Sequence, residues 1–75
     1  MRKVPPAEAF AAAREHAALS RPELADKAGV ARWTLWRIET GQQSPRPKTI
    51  RAVAQALNLS VPALLNFGAD RAEAS

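Results

Sequence analysis

Apolar positions recur every three or four residues along most of the chain, a spacing that predicts helices and no strands. The first predicted helix runs from Ala7 to about Ala18, behind two prolines of a kind that a first helical turn tolerates. Its inward face is expected to carry Phe10, Ala13 and Ala17.

The second predicted helix begins at a capping box. Ser20 is the expected N-cap, and Glu23 stands three residues on, where its side chain can reach back to the N-cap backbone. The buried side of this helix is predicted to consist of Leu24, Ala25 and Ala28.

A short turn separates the second helix from the third. Gly29 is expected to end the second helix in the left-handed conformation that glycine adopts readily. The third helix is predicted over 31–40, with Leu35 and Ile38 inward and Gly41 as its C-terminal stop.

The C-terminal half begins with a proline-containing loop, predicted from Gln42 to Thr49. A fourth helix follows, whose inward positions recur at three-four spacing: Ile50, Val53, Ala54 and Leu57. Asn58 can take a left-handed cap conformation, and Ser60 is expected to cap a short fifth helix that ends near Asn66.

These elements predict one all-α domain, a compact bundle of five helices. The 75 residues are divided into an N-terminal arm (1–6), the bundle (7–67) and a flexible, frayed tail (68–75). No apolar run is long enough to span a bilayer, and Glu8, Arg14 and Glu15 interrupt any signal-peptide core.

Composition argues against catalysis and metal binding. The chain has no cysteine and one histidine, His16, so no thiolate site or nucleophile-base pair is available. The serines are placed as caps or loop residues. We therefore expect no enzyme, no metal, no cofactor and no small-molecule ligand.

The excess positive charge behind the net charge of +4 lies in one segment, residues 31–51. The third predicted helix carries Arg32, Trp33, Trp36 and Arg37, and the charges of its two arginines would be costly to bury unpaired. Two helices joined by a short glycine-containing turn form the unit that places a helix in the DNA major groove. Basicity alone would also suit a membrane surface, but this arrangement favours double-stranded DNA.

Three motifs carry a resemblance to a known family. They are the LSxxELAxKxGV pattern of residues 19–30, the RxTLxRIExG pattern of residues 32–41 and the ALNLSVPALL segment of residues 56–65. Together they resemble the phage-repressor and Cro-type helix-turn-helix regulators. The resemblance implies a five-helix bundle of the lambda-repressor-like DNA-binding type, with its third helix in the major groove.

By position, the resemblance implies that Arg32, Trp33 and Arg37 read bases. Arginine commonly donates to O6 and N7 of guanine, although phosphate contacts alone are the alternative. An indole can pack on a thymine methyl, on the sugar-phosphate wall or on the core edge. Backbone contacts, or else solvated side chains, are expected of Arg21, Thr34, Trp36, Gln42, Gln43, Arg46 and Lys48.

The resemblance also implies a structural ion pair between Arg14 and Glu39, which would link the first helix to the end of the third. Three departures from the family pattern affect the local geometry. Ala31 is a poor N-cap, Ala18 replaces a glycine common before the second helix, and Arg46 replaces a capping Ser or Asp.

The favoured function is a sequence-specific transcription regulator, Cro-like or repressor-like, that binds an operator of two half-sites as a homodimer. Dimer-surface candidates are Leu59, Val61 and Phe67, with the bundle core as the alternative, which is favoured for Leu64. The competing hypothesis is an antitoxin-type interaction module that neutralises a partner and autoregulates its operon. Either role suits the prokaryotic cytoplasm, on the nucleoid.

Overall fold

The chain folds into five helices, described by a computed structural model over residues 3–69. They are α1 (Pro6–His16), α2 (Arg21–Ala28), α3 (Arg32–Glu39), α4 (Pro47–Ala56) and α5 (Val61–Leu65). No strand occurs in that part of the chain. The predicted all-α, five-helix architecture is confirmed.

The α2 helix begins at the predicted capping box. The Glu23 backbone N–H donates to Ser20 Oγ at 3.2 Å, and the Ser20 backbone N–H donates to Glu23 Oε1 at 2.8 Å. These two bonds satisfy N–H groups that have no partner within the helix. Gly29 ends α2 at φ +71°, as predicted.

The first helix is shorter than predicted because the chain turns at Ala17 and Ala18. Ala18 adopts φ +60°, and the Leu19 backbone N–H donates to Arg14 O at 3.2 Å. The expectation that Ala17 lies on the buried face was wrong, since it follows the last helical residue and is exposed. Phe10 and Ala13 are buried as expected.

The loop before α4 is also shorter than predicted. Helix α4 starts at Pro47 rather than after Thr49, because a first-turn proline lacks only an N–H that would be unpaired there. Arg46, at the N-cap, makes no side-chain cap bond. Beyond α4, Asn58 takes the predicted left-handed conformation, at φ +58°.

One apolar core holds all five helices together. Helix α1 packs on α3 and α5, and α2 packs on α3 and α4. The largest fully buried side chains come from every helix: Phe10, Leu24, Leu35, Ile38, Val53 and Leu64. Burying such side chains is the main force that stabilises a small domain without disulfides.

A second, smaller cluster joins the two ends of the described chain. Val4 and Ala69 are buried, and they pack with Ala9 and half-buried Phe67. Ala69 was expected to belong to the frayed tail, and its burial corrects that boundary. The rest of the expected tail, 70–75, lies outside the described residues.

Candidate nucleic-acid interface

Helices α2 and α3 and the turn between them expose one end of α3. Leu35 and Ile38 are buried as predicted, and they fix the orientation of the helix against α1 and α2. The first residues of α3 therefore lie on the surface. Ala31 makes no side-chain cap bond, so the N–H groups of this end are open to an anionic partner.

Arg32, the first residue of α3, is bound to an acidic residue of α2. Its Nε donates to Asp26 Oδ1 at 3.3 Å and its Nη2 donates to Asp26 Oδ2 at 2.8 Å. Both side chains are largely exposed. The side-chain hydrogen bonds from Arg32 hold the pKa of Asp26 below its usual range, and the same bonds raise the pKa of Arg32.

The two tryptophans form one stacked unit. Their ring centroids are 4.7 Å apart and their planes differ by 18°. Trp33 is 63% exposed and is the one large hydrophobic side chain of residues 3–69 that is exposed, whereas Trp36 is half-buried. Trp36 therefore stacks on one face of Trp33, and Trp33 presents its ring to the outside.

An open hollow lies next to the stacked pair. Its volume is about 340 Å³, and it is lined by Arg21, Pro22, Arg32, Trp33 and Trp36. The hollow joins the start of α2 to the start of α3. Aromatic surface and guanidinium groups thus lie side by side at this end of the molecule.

Glu39 is the centre of an ion network with two arginines. Its side chain is fully buried. Arg14 Nε donates to Glu39 Oε2 at 2.9 Å, and Arg21 Nε donates to Oε1 at 3.0 Å. Arg14 also donates from Nη1 to Leu19 O at 2.8 Å. The two residues expected to pair, Arg14 and Glu39, are therefore in contact.

Arg21 is an additional member of this network that the sequence reading missed. It was expected only as a backbone-contacting residue at the start of α2. Its bond to Glu39 uses Nε, and no hydrogen bond from Nη1 or Nη2 of Arg21 is present within residues 3–69. The side chain is 42% exposed, so its outer edge faces solvent.

The remaining candidates are spread along α3 and the loop behind it. Arg37 is half-buried, and neither a hydrogen bond nor an ion pair joins its side chain to another described residue. Its carbonyl oxygen accepts from the Gln42 backbone N–H at 2.9 Å. Thr34 and Gln43 are half-buried; Gln42, Arg46 and Lys48 are exposed.

The three dimer candidates have internal contacts. Leu59, Val61 and Phe67 are half-buried and pack against the main core, and the Phe67 ring lies 5.3 Å from that of His16. Leu64 is fully buried, as favoured from the sequence. Packing within the bundle accounts for part of each of these surfaces.

Neither a metal site nor a membrane span is found in the described residues. Within 3–69, no group of acidic or histidine side chains is placed to hold a metal ion. The helices there are also too short and too polar to cross a bilayer.

Comparison with known proteins identifies a family and a fold. A sequence model of the family described as helix-turn-helix domain matches residues 7–67. The chain is also similar to the DNA-binding domain of the P22 C2 repressor, solved by nuclear magnetic resonance in solution. The identity is 22%, the TM-score is 0.80, and the match covers 91% of this chain and 90% of that one. No curated protein matches.

Proposed function

The chain belongs to the helix-turn-helix domain family, and we propose on that basis that it is a DNA-binding transcription regulator. In this proposal α3 enters the major groove with its N-terminal end nearest the bases. The observation that carries it is the exposed start of α3, where Arg32 and Trp33 project from a helix that Leu35 and Ile38 hold in place. The similar P22 C2 domain is itself a DNA-binding domain.

Base reading is assigned to Arg32, Trp33 and Arg37. Arg32 has a fork of donors suited to guanine O6 and N7. Trp33 has an exposed ring that fits the apolar 5-methyl group of thymine. Arg37 has no internal partner among the described residues, so its charge is available to a base or a phosphate.

Phosphate binding is assigned to both flanks of α3. Arg21 is held at Nε by a buried carboxylate, which leaves its Nη groups available to a phosphate at the N-terminus of α2. On the other flank, exposed Arg46 immediately precedes α4, and exposed Lys48 lies in its first turn. Such contacts supply affinity without reading sequence. The other backbone candidates are Thr34, Trp36, Gln42 and Gln43.

Glu39 and Arg14 act on DNA binding through the position of α3. The buried carboxylate lies in the last residue of α3, and Arg14 lies on α1. A bond between them resists rotation of α3 relative to the bundle. We assign both residues a positioning role and no contact with DNA.

The regulator is proposed to bind two half-sites as a homodimer. One reading helix contacts few bases, and a second copy related by two-fold symmetry doubles that contact. The half-buried candidates Leu59, Val61 and Phe67 lie around α5, and their outer surfaces would meet in the dimer.

The test is selection of bound duplexes from a random DNA pool, followed by salt titration of the enriched duplex. We expect an enriched two-half-site motif and an affinity that falls steeply with salt. Arg32→Ala should weaken discrimination among sequences. Arg51→Ala is the matched control, because it removes the same charge from an exposed position on α4, and it should leave discrimination unchanged.

Two outcomes would overturn the proposal. An unenriched pool would defeat the specific-regulator function and turn attention to an antitoxin-type interaction module. An affinity for the duplex that does not change with salt concentration would overturn DNA binding itself. Sizing of the complex on one and on two half-sites tests the dimer separately.

A further inference from the structure

The Asp26–Arg32 contact is unusual for a residue proposed to read bases. A base-reading arginine is expected to be free, yet here it is bound on two of its nitrogens to a carboxylate of the preceding helix. Simple charge considerations make Asp26 unfavourable near DNA, because it would repel phosphates. The geometry of the contact indicates a different role.

The contact occupies only one edge of the guanidinium group. Nε and Nη2 of Arg32 donate to the two carboxylate oxygens. Both N–H groups of Nη1 and the second N–H of Nη2 remain unused. Nη1 and Nη2 form the end-on fork of arginine, and a fork of this kind matches O6 and N7 of guanine.

The surroundings of Arg32 restrict it further. Asp26 lies on α2, whose Leu24 and Ala25 are fully buried, so the carboxylate is carried by a fixed element. Arg32 also lines the hollow together with Trp33 and Trp36. The Asp26 contact therefore holds one edge of the guanidinium beside an aromatic surface, and less rotamer freedom remains to be lost on binding.

From this geometry we propose that Asp26 is a positioning residue for base reading, which orients Arg32 toward a guanine in the major groove. The inference rests on the proposed DNA-binding function and adds the residue that orients its guanine-reading arginine. Asp26 itself does not contact the base. It holds one edge of the guanidinium so that the other edge is presented.

Positioning and charge predict opposite effects for Asp26→Asn. The substitution raises the net charge from +4 by one unit, so by charge alone every duplex should bind more tightly. If Asp26 positions Arg32, discrimination for guanine should fall even as binding to unrelated DNA rises. Asp26 is exposed, so the variant is expected to fold, which circular dichroism can verify.

The experiment uses the full chain and the duplex enriched by selection. Each guanine is replaced in turn by 7-deazaguanine, which lacks only the N7 acceptor. For the unsubstituted protein we expect one guanine in each half-site at which replacement weakens binding about tenfold, within the range of a bidentate arginine contact. In Arg32→Ala this effect should vanish, which identifies the guanine that Arg32 reads.

The comparison of two charge-matched variants then decides the role of Asp26. In Asp26→Asn the loss at that guanine should shrink to about threefold, with tighter binding to an unrelated duplex. Glu15→Gln makes the same change of charge at an exposed position of α1, and it should keep the tenfold loss.

Three results would overturn the inference. The first is an enriched duplex in which no 7-deazaguanine effect depends on Arg32. The second is an Asp26→Asn variant in which 7-deazaguanine still weakens binding as much as in the unsubstituted protein. The third is a 7-deazaguanine effect that is reduced equally in Glu15→Gln. Failure of the proposed function looks different, because no duplex would then be enriched at all, and the inference would fall with it.

Discussion

Breaking the Glu39 network on one side should destabilise the fold far more than removing both partners. In Arg14→Met, the fully buried Glu39 carboxylate keeps only Arg21. In Glu39→Leu, the Arg14 guanidinium, whose side chain is 12% exposed, keeps Leu19 O at 2.8 Å and the exposed Glu15 carboxylate at 4.0 Å. Losing one partner of a buried ion pair costs about 3–5 kcal/mol, and the contact that remains in each variant places the expected loss at the lower end, about 3 kcal/mol.

This cost is large for so small a domain. At about 0.05–0.15 kcal/mol per residue, the total free energy of unfolding is about 4–11 kcal/mol. The double variant Arg14→Met/Glu39→Leu leaves no uncompensated charge, because Arg21 is partly exposed and can turn to solvent. Its stability should lie within about 1 kcal/mol of the unsubstituted chain, since apolar replacements of buried pairs are close to neutral.

Urea unfolding measures these differences, with Trp33 and Trp36 as fluorescent probes. With a slope of about 1 kcal/mol per molar urea, a 3 kcal/mol loss moves the midpoint by about 3 M. A single variant that is unfolded in buffer counts as the predicted loss, provided that the double variant folds. As a control, Asp26→Asn breaks an exposed pair and should leave the midpoint nearly unchanged.

Additivity would refute this reasoning. If the losses of unfolding free energy in the two single variants sum to the loss in the double variant within about 0.5 kcal/mol, the network does not couple α1 to α3. Binding tests the positioning role separately. The folded double variant should lose about tenfold in DNA affinity, and retained folding together with retained affinity would contradict that role.

Three further predictions concern backbone conformation, pH and the exposed indole. Gly29→Ala should lower the free energy of unfolding by about 1 kcal/mol, and Ala18→Gly should raise it by up to about 1 kcal/mol, because glycine is favoured at both positions by their positive φ. Denaturation midpoints of the two variants that move in the same direction would contradict this. The Ser20 backbone N–H holds the pKa of Glu23 below its ordinary value of 4.5, so the stability it contributes is present above that value and is lost as the pH falls through the lowered pKa. Glu23→Gln, which imitates the protonated acid, should therefore lower the melting temperature at pH 7 and not in acid; an equal loss at both would exclude the carboxylate as the cause. Trp33→Ala should bind the enriched duplex about fourfold more weakly than the unsubstituted chain. Replacing the contacted thymine by uracil should weaken binding of the unsubstituted chain by about the same factor and leave binding of the variant unchanged. Equal sensitivity of both proteins to uracil would remove Trp33 from methyl recognition.

Local sequence signals predicted the elements well where a side chain closes its own turn. Ser20 and Glu23 satisfy N–H groups within three residues of themselves, and Gly29 tolerates a conformation that other residues avoid. Such interactions need no distant partner, so they can be read from spacing alone. The predicted end of α1 and the predicted start of α4 were wrong because no side chain closes the turn there. Ala18 and Pro47 are each compatible with more than one local conformation.

The chemistry of the interface was predicted in part. The residues of α3 were found because charge and aromatic surface opposite an inward apolar face are visible in the sequence. The contacts made by Asp26 and Arg21 were not predicted, whereas the Arg14–Glu39 pair was expected from the family resemblance. Asp26 and Arg32 are six residues apart across a turn, which is no helical spacing, and Arg21 reaches Glu39 from another helix.

The sequence by itself determined that this chain is an all-α bundle with a basic, aromatic helix at its surface, since periodicity and capping are local properties. Only the tertiary structure decided which side chains of other helices contact that helix. Packing of α1, α2 and α3 brings two arginines to one buried carboxylate and sets Asp26 against Arg32. These contacts depend on angles and distances between helices, and such geometry exists only once the core has formed.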